Sequence, residues 1–400
     1  MRDNTWPRVR LRDIAVARGL IGGPFGSSLG LKDYVPSGVP VIRGKNLSGG
    51  SRLVAGPFVF VSETKAATLE RNIAVPGDVV ATQRGTLGQV ALIPPVPYEK
   101  YVISQSQMAL RVNPSMATAE YVCFALSASD AVAEIESRKV ATANPHINLG
   151  IFASLEIPLP PLAEQRRIVD LIAAADCTAW RADRLFDAAS TVLTALRREA
   201  AALAPQHGLG ARASVLMGQS PVGSEVNTVG YGEALLNGPT EFGRTRPTGT
   251  RQWTTAAARV CESGDVLVCV RGATAGRLNI SDQRYAIGRG LASVRTECPV
   301  EGQWVWHVLN ARANDLLPAA GGTIFPNISG PALRGLMVGW PDPETMAKAV
   351  AVMNAVESVA DHALSVKQHA SALRRALLAD VLAGDHKIPA SYDRFLDGAA

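Results

Sequence analysis

The sequence predicts an α+β fold: two β-rich globules in tandem, separated by two long helices that pair antiparallel as a coiled coil, the whole an internal repeat with pseudo-twofold symmetry. Three observations carry this. First, Gly77-Asp78-Val79-Val80-Ala81-Thr82-Gln83-Arg84-Gly85 returns as Gly264-Asp265-Val266-Leu267-Val268-Cys269-Val270-Arg271-Gly272. Second, further matches follow in the same order: 103–111 with 287–295, 144–147 with 325–328, Leu155 and Pro160 with Leu336 and Pro341, and 195–198 with 372–375. The offset drifts only from 187 to 177, as duplication of a unit of about 180 residues would leave it. Third, each copy ends in a long amphipathic stretch.

The elements follow in chain order. Runs at 39–42, 58–61, 79–82, 101–104 and 266–270 are β-branched, short, and bounded by Gly, Pro or Asp, which reads as strands joined by tight turns. Helical segments are expected at 118–140, with Tyr121, Phe124, Leu126 and Ile135, and at 302–317. The first long helix carries Ile168, Leu171, Ala175, Thr178, Ala182, Leu185, Ala189, Val192, Leu196, Glu199 and Leu203 at 3/4 spacing, the pattern of a coiled-coil seam. Pro160-Pro161 precedes it and Pro205, Gly208 and Gly210 follow, so both ends carry stop signals. The second runs over 344–382 with Val352, Val356, Val359, Ala363, Val366, Ala370, Leu373 and Leu377, and stops at Gly384. The implied boundaries are 1–161 and 208–343 for the globules, 162–207 and 344–386 for the helices, and a tail at 387–400. A rod of about 60 Å with a globule at each end would grip two separated patches of one extended partner. Duplex DNA, with a turn every ~34 Å, has features on that scale.

Composition excludes several classes. At 400 residues and 47% hydrophobic the chain can bury a sizeable core. No stretch approaches 18 consecutive apolar residues, and the N-terminus lacks an apolar leader, so no membrane is expected and a cytoplasmic location is. Five cysteines without a C-x-x-C pair fit neither a disulfide framework nor a zinc knuckle and read as buried thiols. There is no H-E-x-x-H, no phosphate-binding loop, no G-x-S-x-G elbow and no methyl-donor loop. No catalytic or metal-binding residue is assigned, and the chain is expected not to be an enzyme. Asp78 and Asp265 recur, but Gly-Asp ahead of a strand is turn chemistry, with the carboxylate capping backbone N–H groups.

Charge is more suggestive. The net +5 splits as +4 for residues 1–161, +1 for 162–212, +1 for 213–343 and −1 for 344–400. Between Arg244 and Arg295 lie nine arginines, no lysine and only three carboxylates, and arginine suits guanine edges and phosphates. The DNA-binding candidates of the first globule are Arg43, Lys45, Asn46, Gln83, Arg84, Gln105, Gln107, Asn144 and His146. Those of the second are Gln219, Ser220, Asn237, Arg244, Arg246, Arg271, Arg289 and Asn327. Arg84 and Arg271, common to both copies, are poor readers of different sequences; they suit a phosphate contact, or a scaffold pairing with Asp78 and Asp265.

These residues resemble the specificity subunit of type I restriction-modification systems. The marks are Gly-Pro-Phe-Gly-Ser-Ser-Leu (23–29), Val-Pro-Val-Ile-Arg-Gly-Lys-Asn-Leu (39–47), the G-D-V-V-A-T-Q-R-G segment and Met-Gly-Gln-Ser-Pro (217–221). The most specific is Ile-Pro-Leu-Pro-Pro-Leu-Ala-Glu-Gln-Arg-Arg-Ile-Val (157–169), which enters the first long helix. The resemblance implies that each globule is a target recognition domain reading half of a bipartite double-stranded DNA target, and that the helices are spacers setting the unread gap. It also implies docking of two methyltransferase subunits, which would carry S-adenosylmethionine, and of restriction subunits, with no cofactor on this chain itself. The second helix departs from the pattern, opening Pro-Asp-Pro-Glu-Thr-Met-Ala-Lys (341–348). Two other classes stay open: a free-standing DNA-modifying or DNA-cleaving enzyme with an unrecognised site, and a coiled-coil adaptor that does not contact DNA.

Overall fold

The β-branched runs become strands because turn residues close both of their ends. A computed structural model describes residues 6–47, 53–140, 145–312, 327–385 and 387–396. It divides into two units: Met1–Arg181 with Val366–Ala400, and Ala182–Ser365.

In the first unit a four-stranded sheet runs in the order Ala15–Gly22, Gln107–Val112, Val79–Thr82, Val90–Leu92, with every neighbouring pair antiparallel. A five-stranded sheet is ordered Tyr34–Val35, Val59–Val61, Val39–Ile42, Tyr101–Ile103, Ile73–Ala74, and its one parallel pair sets Val41 beside Val102. A short pair, Arg8–Arg10 with Glu156–Pro158, closes the unit. The second unit repeats this topology strand for strand. Its four-stranded sheet is Ser214–Met217, Leu291–Arg295, Val266–Cys269, Leu278–Ile280, and its five-stranded sheet again has one parallel pair, Leu235 beside Ala286. The duplication read from motif order is therefore a duplication of sheet order.

The recurring Gly-Asp turn has the same chemistry twice. Gly77 and Gly264 sit at φ 86 and 91, where a side chain would be strained. Asp78 Oδ2 accepts the Val75 N–H at 2.8 Å, and Asp265 Oδ2 accepts that of Glu262 at 2.9 Å. Their cationic partners are Arg111 and Arg295, each within 2.9 Å and each raised in pKa by its carboxylate. The scaffold pairing of Arg84 with Asp78 and of Arg271 with Asp265 is thus corrected. The partner lies on the adjacent antiparallel strand, where the register sets Leu110 against Val79, and not six residues on along the chain, past the end of the strand.

The long helices span Leu162–Leu203 and Pro343–Ala383, and each unit contains a stretch of both. In the first unit Ile168 and Ile172 share a core with Leu378, Val381 and Ile388, and Arg374 meets Asp176 at 3.0 Å. In the second, Leu193 and Ala201 share a core with Met346, Val350 and Met353. The buried positions include Ile172, Ala175, Ala182, Ala189 and Leu193 on the first helix and Met353, Ala360, Ala363 and Ala370 on the second. Half of the expected seam is therefore shifted by one residue: Thr178, Leu185, Val192 and Glu199, like Val352, Val359, Val366 and Leu373, are exposed.

Other expectations shift in smaller ways. The segment 118–140 breaks into Ala119–Leu126 and Ser129–Ser137, and the helix expected over 302–317 starts earlier, as Pro299–Ala311, with 313–317 outside the described residues. Cys123, Cys261 and Cys269 are buried, with burial pushing the Cys123 thiol up to about 12, whereas Cys177 and Cys298 are exposed.

A polar network lies inside the second unit. Arg197 Nε donates to His307 Nδ1 at 3.0 Å and its Nη2 to Glu357 at 2.6 Å, which leaves His307 Nε2–H to donate to Asn354 Oδ1 at 2.8 Å. The imidazole is therefore neutral, and burial holds its pKa below the ordinary 6.5. Because the unfolded chain takes up a proton there first, this group's contribution is present above pH 6.5 and is lost as the pH falls below it. Unfolding of the second unit, followed by the fluorescence of Trp304, Trp306 and Trp340, should become easier between pH 6.5 and 5. The slope should flatten in His307→Gln; equal slopes in the two proteins would contradict the assignment.

Candidate nucleic-acid interface

In each unit a strand exit, a following backbone segment and a loop converge. Arg84 leaves the strand Val79–Thr82 just before Gly85 at φ 105, and Arg271 leaves Val266–Cys269 just before Gly272 at φ 79. Each positive φ turns the chain sharply and leaves the arginine exposed. Beside them, Arg84 bridges His146 and Arg271 bridges Asn327 through the backbone. Ile147 N–H donates to the Gln83 carbonyl at 3.0 Å and Ile328 N–H to that of Val270 at 2.8 Å. Asn148 and Ser329 then cap the helices Leu149–Ser154 and Gly330–Gly335. The same local geometry thus appears in both units.

The third component is the loop after Gly23 or Gly218. A Cβ on either would lie 2.2 Å from a carbonyl oxygen, that of Ser104 or of Gly288, so only glycine permits the approach. It brings the loop against Gln105 in the first unit and Arg289 in the second. Gln105 Nε2 donates to the Gly26 and Leu29 carbonyls, and Arg289 N–H donates to Ser220 Oγ at 3.2 Å.

Gln83, Arg84 and Gln105 line one groove of about 1140 Å³, together with Phe25, Arg71 and Asn148, which sequence reasoning passed over. A groove of about 430 Å³ in the second unit gathers Ser220 and Asn237 with Asn227 and Gln252, and Asn237 Nδ2 donates to Gln252 Oε1 at 2.6 Å. Arg71, Asn148 and Asn227 carried no repeat signature that would have singled them out.

The remaining candidates lie elsewhere. Asn46 is buried, accepting from Arg43 N–H at 2.9 Å and donating to the Ala55 and Pro57 carbonyls. Gln107 is buried and accepts from Ser104 Oγ. Arg43 packs its guanidinium over the Tyr34 ring at 5.9 Å, and Lys45 is exposed on the same turn. Arg244 pairs with Asp361 at 2.9 Å and covers the Phe186 ring at 5.0 Å, whereas Arg246 lies beside Glu262 and Asp265. Gln219 is exposed, its N–H donating to the Ile287 carbonyl at 2.9 Å; Asn144 falls outside the described residues. Of the nine arginines of the 244–295 cluster, Arg246, Arg251, Arg259, Arg271 and Arg289 make no side-chain ion pair or hydrogen bond among the described residues.

The first of the two sites sits in a recognised domain: residues 4–179 match the model of the type I restriction modification DNA specificity domain. This stretch of the chain belongs to that domain family. The MjaX type I restriction enzyme specificity subunit of Methanocaldococcus jannaschii is 22% identical over 379 residues, covering 88% of each chain. Two solved chains share the fold. One, from a structure concerning complex assembly and conformational transition of a type I R-M system, has a TM-score of 0.58 at 24% identity over 96% of this chain and 98% of its own. The other, the S subunit of the type I system of M. genitalium, has a TM-score of 0.66 at 14% identity over 96% and 97%. Among the described residues no helix is long and apolar enough to cross a membrane.

Proposed function

We propose that the chain is the non-catalytic reader of a bipartite double-stranded DNA target in the cytoplasm, with one half-site read by each unit. The observation that carries this is the recurrence of one cluster, exposed arginine, bridged segment and glycine-hinged loop, whose backbone is the same in both units while Gln105 and His146 in one stand where Arg289 and Asn327 stand in the other. A common frame with different side chains suits two different half-sites. Two methyltransferase subunits, carrying the S-adenosylmethionine, and restriction subunits would act at the target. The exposed aliphatic rows Leu185–Val192 and Val352–Val359 of the second unit, and Val366–Leu373 of the first, offer apolar ridges to partner helices.

Adenine methylation mapped genome-wide with and without the gene tests the reading: a split motif should vanish on deletion, and an unchanged methylome refutes it. Arg84 and Arg271 are assigned to phosphates. Arg84→Ala should weaken DNA binding by about 1–2 kcal/mol across sequences and reduce the slope of log K against log salt by about 1. Fluorescence anisotropy at several salt concentrations checks this, and an unchanged slope removes the phosphate role.

A further inference from the structure

Phe25 is 90% exposed. Its loop is held in place by the close approach of Gly23 to the Ser104 carbonyl and by the bonds from Gln105 to the Gly26 and Leu29 carbonyls. A pinned loop keeps its aromatic ring in water, at the edge of the groove that Arg84 lines. The groove's charge is one-sided: Lys65, Arg71 and Arg84 line it and no carboxylate does. Lys65 is matched by Asp33 at 3.1 Å, while Arg71 and Arg84 make no side-chain ion pair or hydrogen bond among the described residues.

The occupant must therefore be a polyanion that also presents something apolar at the tip of Phe25. On the grooves of duplex DNA, that apolar group is the 5-methyl of thymine. The corresponding loop of the second unit, after Gly218, presents Val222, 67% exposed. Valine has no ring to stack on a base, so the chemistry the two loops share is contact with a methyl group and not stacking.

We infer that Phe25 is a specificity-determining residue that reads a thymine 5-methyl group in the first half-site. This rests on the DNA-reading function proposed above. The test uses the full chain assembled with its methyltransferase subunits and duplexes carrying the mapped target. Each thymine of the first half-site is replaced in turn by deoxyuridine, which removes only the methyl group. Wild type should lose about 3- to 5-fold in affinity at one such position, the worth of one apolar carbon. Phe25→Ala should bind the thymine and uracil duplexes equally, with the salt dependence and the second half-site unaffected, and Phe25→Leu should restore part of the difference.

A variant that keeps the wild-type penalty overturns the assignment. So does a wild type that shows none while still preferring its target, or a rise in 2-aminopurine fluorescence that depends on Phe25 without any methyl penalty, which marks insertion between bases. A wild type with no preference for the mapped target overturns the DNA-reading function itself and is distinguishable from these.

Discussion

Asp78→Ala should lower the stability of the first unit by about 3 kcal/mol, the low end of what breaking a buried ion pair costs. The carboxylate is 1% exposed and accepts three hydrogen bonds, two from Arg111 and one from the Val75 N–H. Removing it strands all three donors. The Arg111 side chain is 39% exposed, so water recovers part of the loss and keeps the figure low. Asp78→Asn should fall between wild type and alanine, since it can still accept from Val75 but carries no charge. In the second unit Asp265 also accepts from Ser293 Oγ at 2.7 Å, so Asp265→Ala should cost more. Denaturant unfolding with hydrogen exchange read unit by unit checks both. Loss of protection in the other unit, or a change below about 1 kcal/mol, would show that the pair does not hold the turn.

Gln165→Leu should be comparably severe, about 4 kcal/mol, taking 1–3 kcal/mol for each buried group left unmatched. Gln165 is fully buried at the start of the first long helix. Its Oε1 accepts the Thr118 N–H at 2.9 Å, and its Nε2 donates to the Pro160 and Met116 carbonyls at 2.8 and 3.1 Å. One amide thus ties the helix start to the approach to Ala119–Leu126. Its neighbours do similar work: Glu164 Oε1 accepts the Ile388 N–H, and Arg167 grips Asp393 through two bonds of 2.6 Å. The Pro-Leu-Ala-Glu-Gln-Arg-Arg run is therefore a fastening as much as a signature. Leucine should lower the unfolding midpoint and open the 113–118 segment to protease. A wild-type midpoint would show that water replaces the amide freely.

What the sequence disclosed follows from where its chemistry is local. The Gly-Asp turn, the Arg-Gly exit and the stop signals act within a few residues, so the strand Val79–Thr82 and the span of both helices were legible, and the repeat then aligned the two sites. Seam register was not. Alanine gives little hydrophobic signal, so Leu185 and Val359 drew the stripe onto a face that is exposed. The partner of Asp78 was invisible because cross-strand register depends on the whole sheet. For the site, the repeat aligns Arg84 with Arg271 and His146 with Asn327, but that the members of each pair are neighbours comes only from the backbone bridges of the fold. Asn46 and Gln107 looked equally available and are instead buried, Asn46 donating to the Ala55 and Pro57 carbonyls and Gln107 accepting from Ser104 Oγ. Phe25 was overlooked for the opposite reason: in a sequence, a phenylalanine counts towards the core.

The division of the helices also orders events in time. The second unit is one uninterrupted stretch, Ala182–Ser365, but the core of the first is completed by Leu378, Val381 and Ile388. On the ribosome, at about 5–20 residues per second, the N-terminal globule waits roughly 10 to 40 s for those side chains. The half that is synthesised first is thus finished last. A premature stop codon near residue 370 should spare the second unit and do its damage at the far end of the gene, in the globule whose own codons are intact.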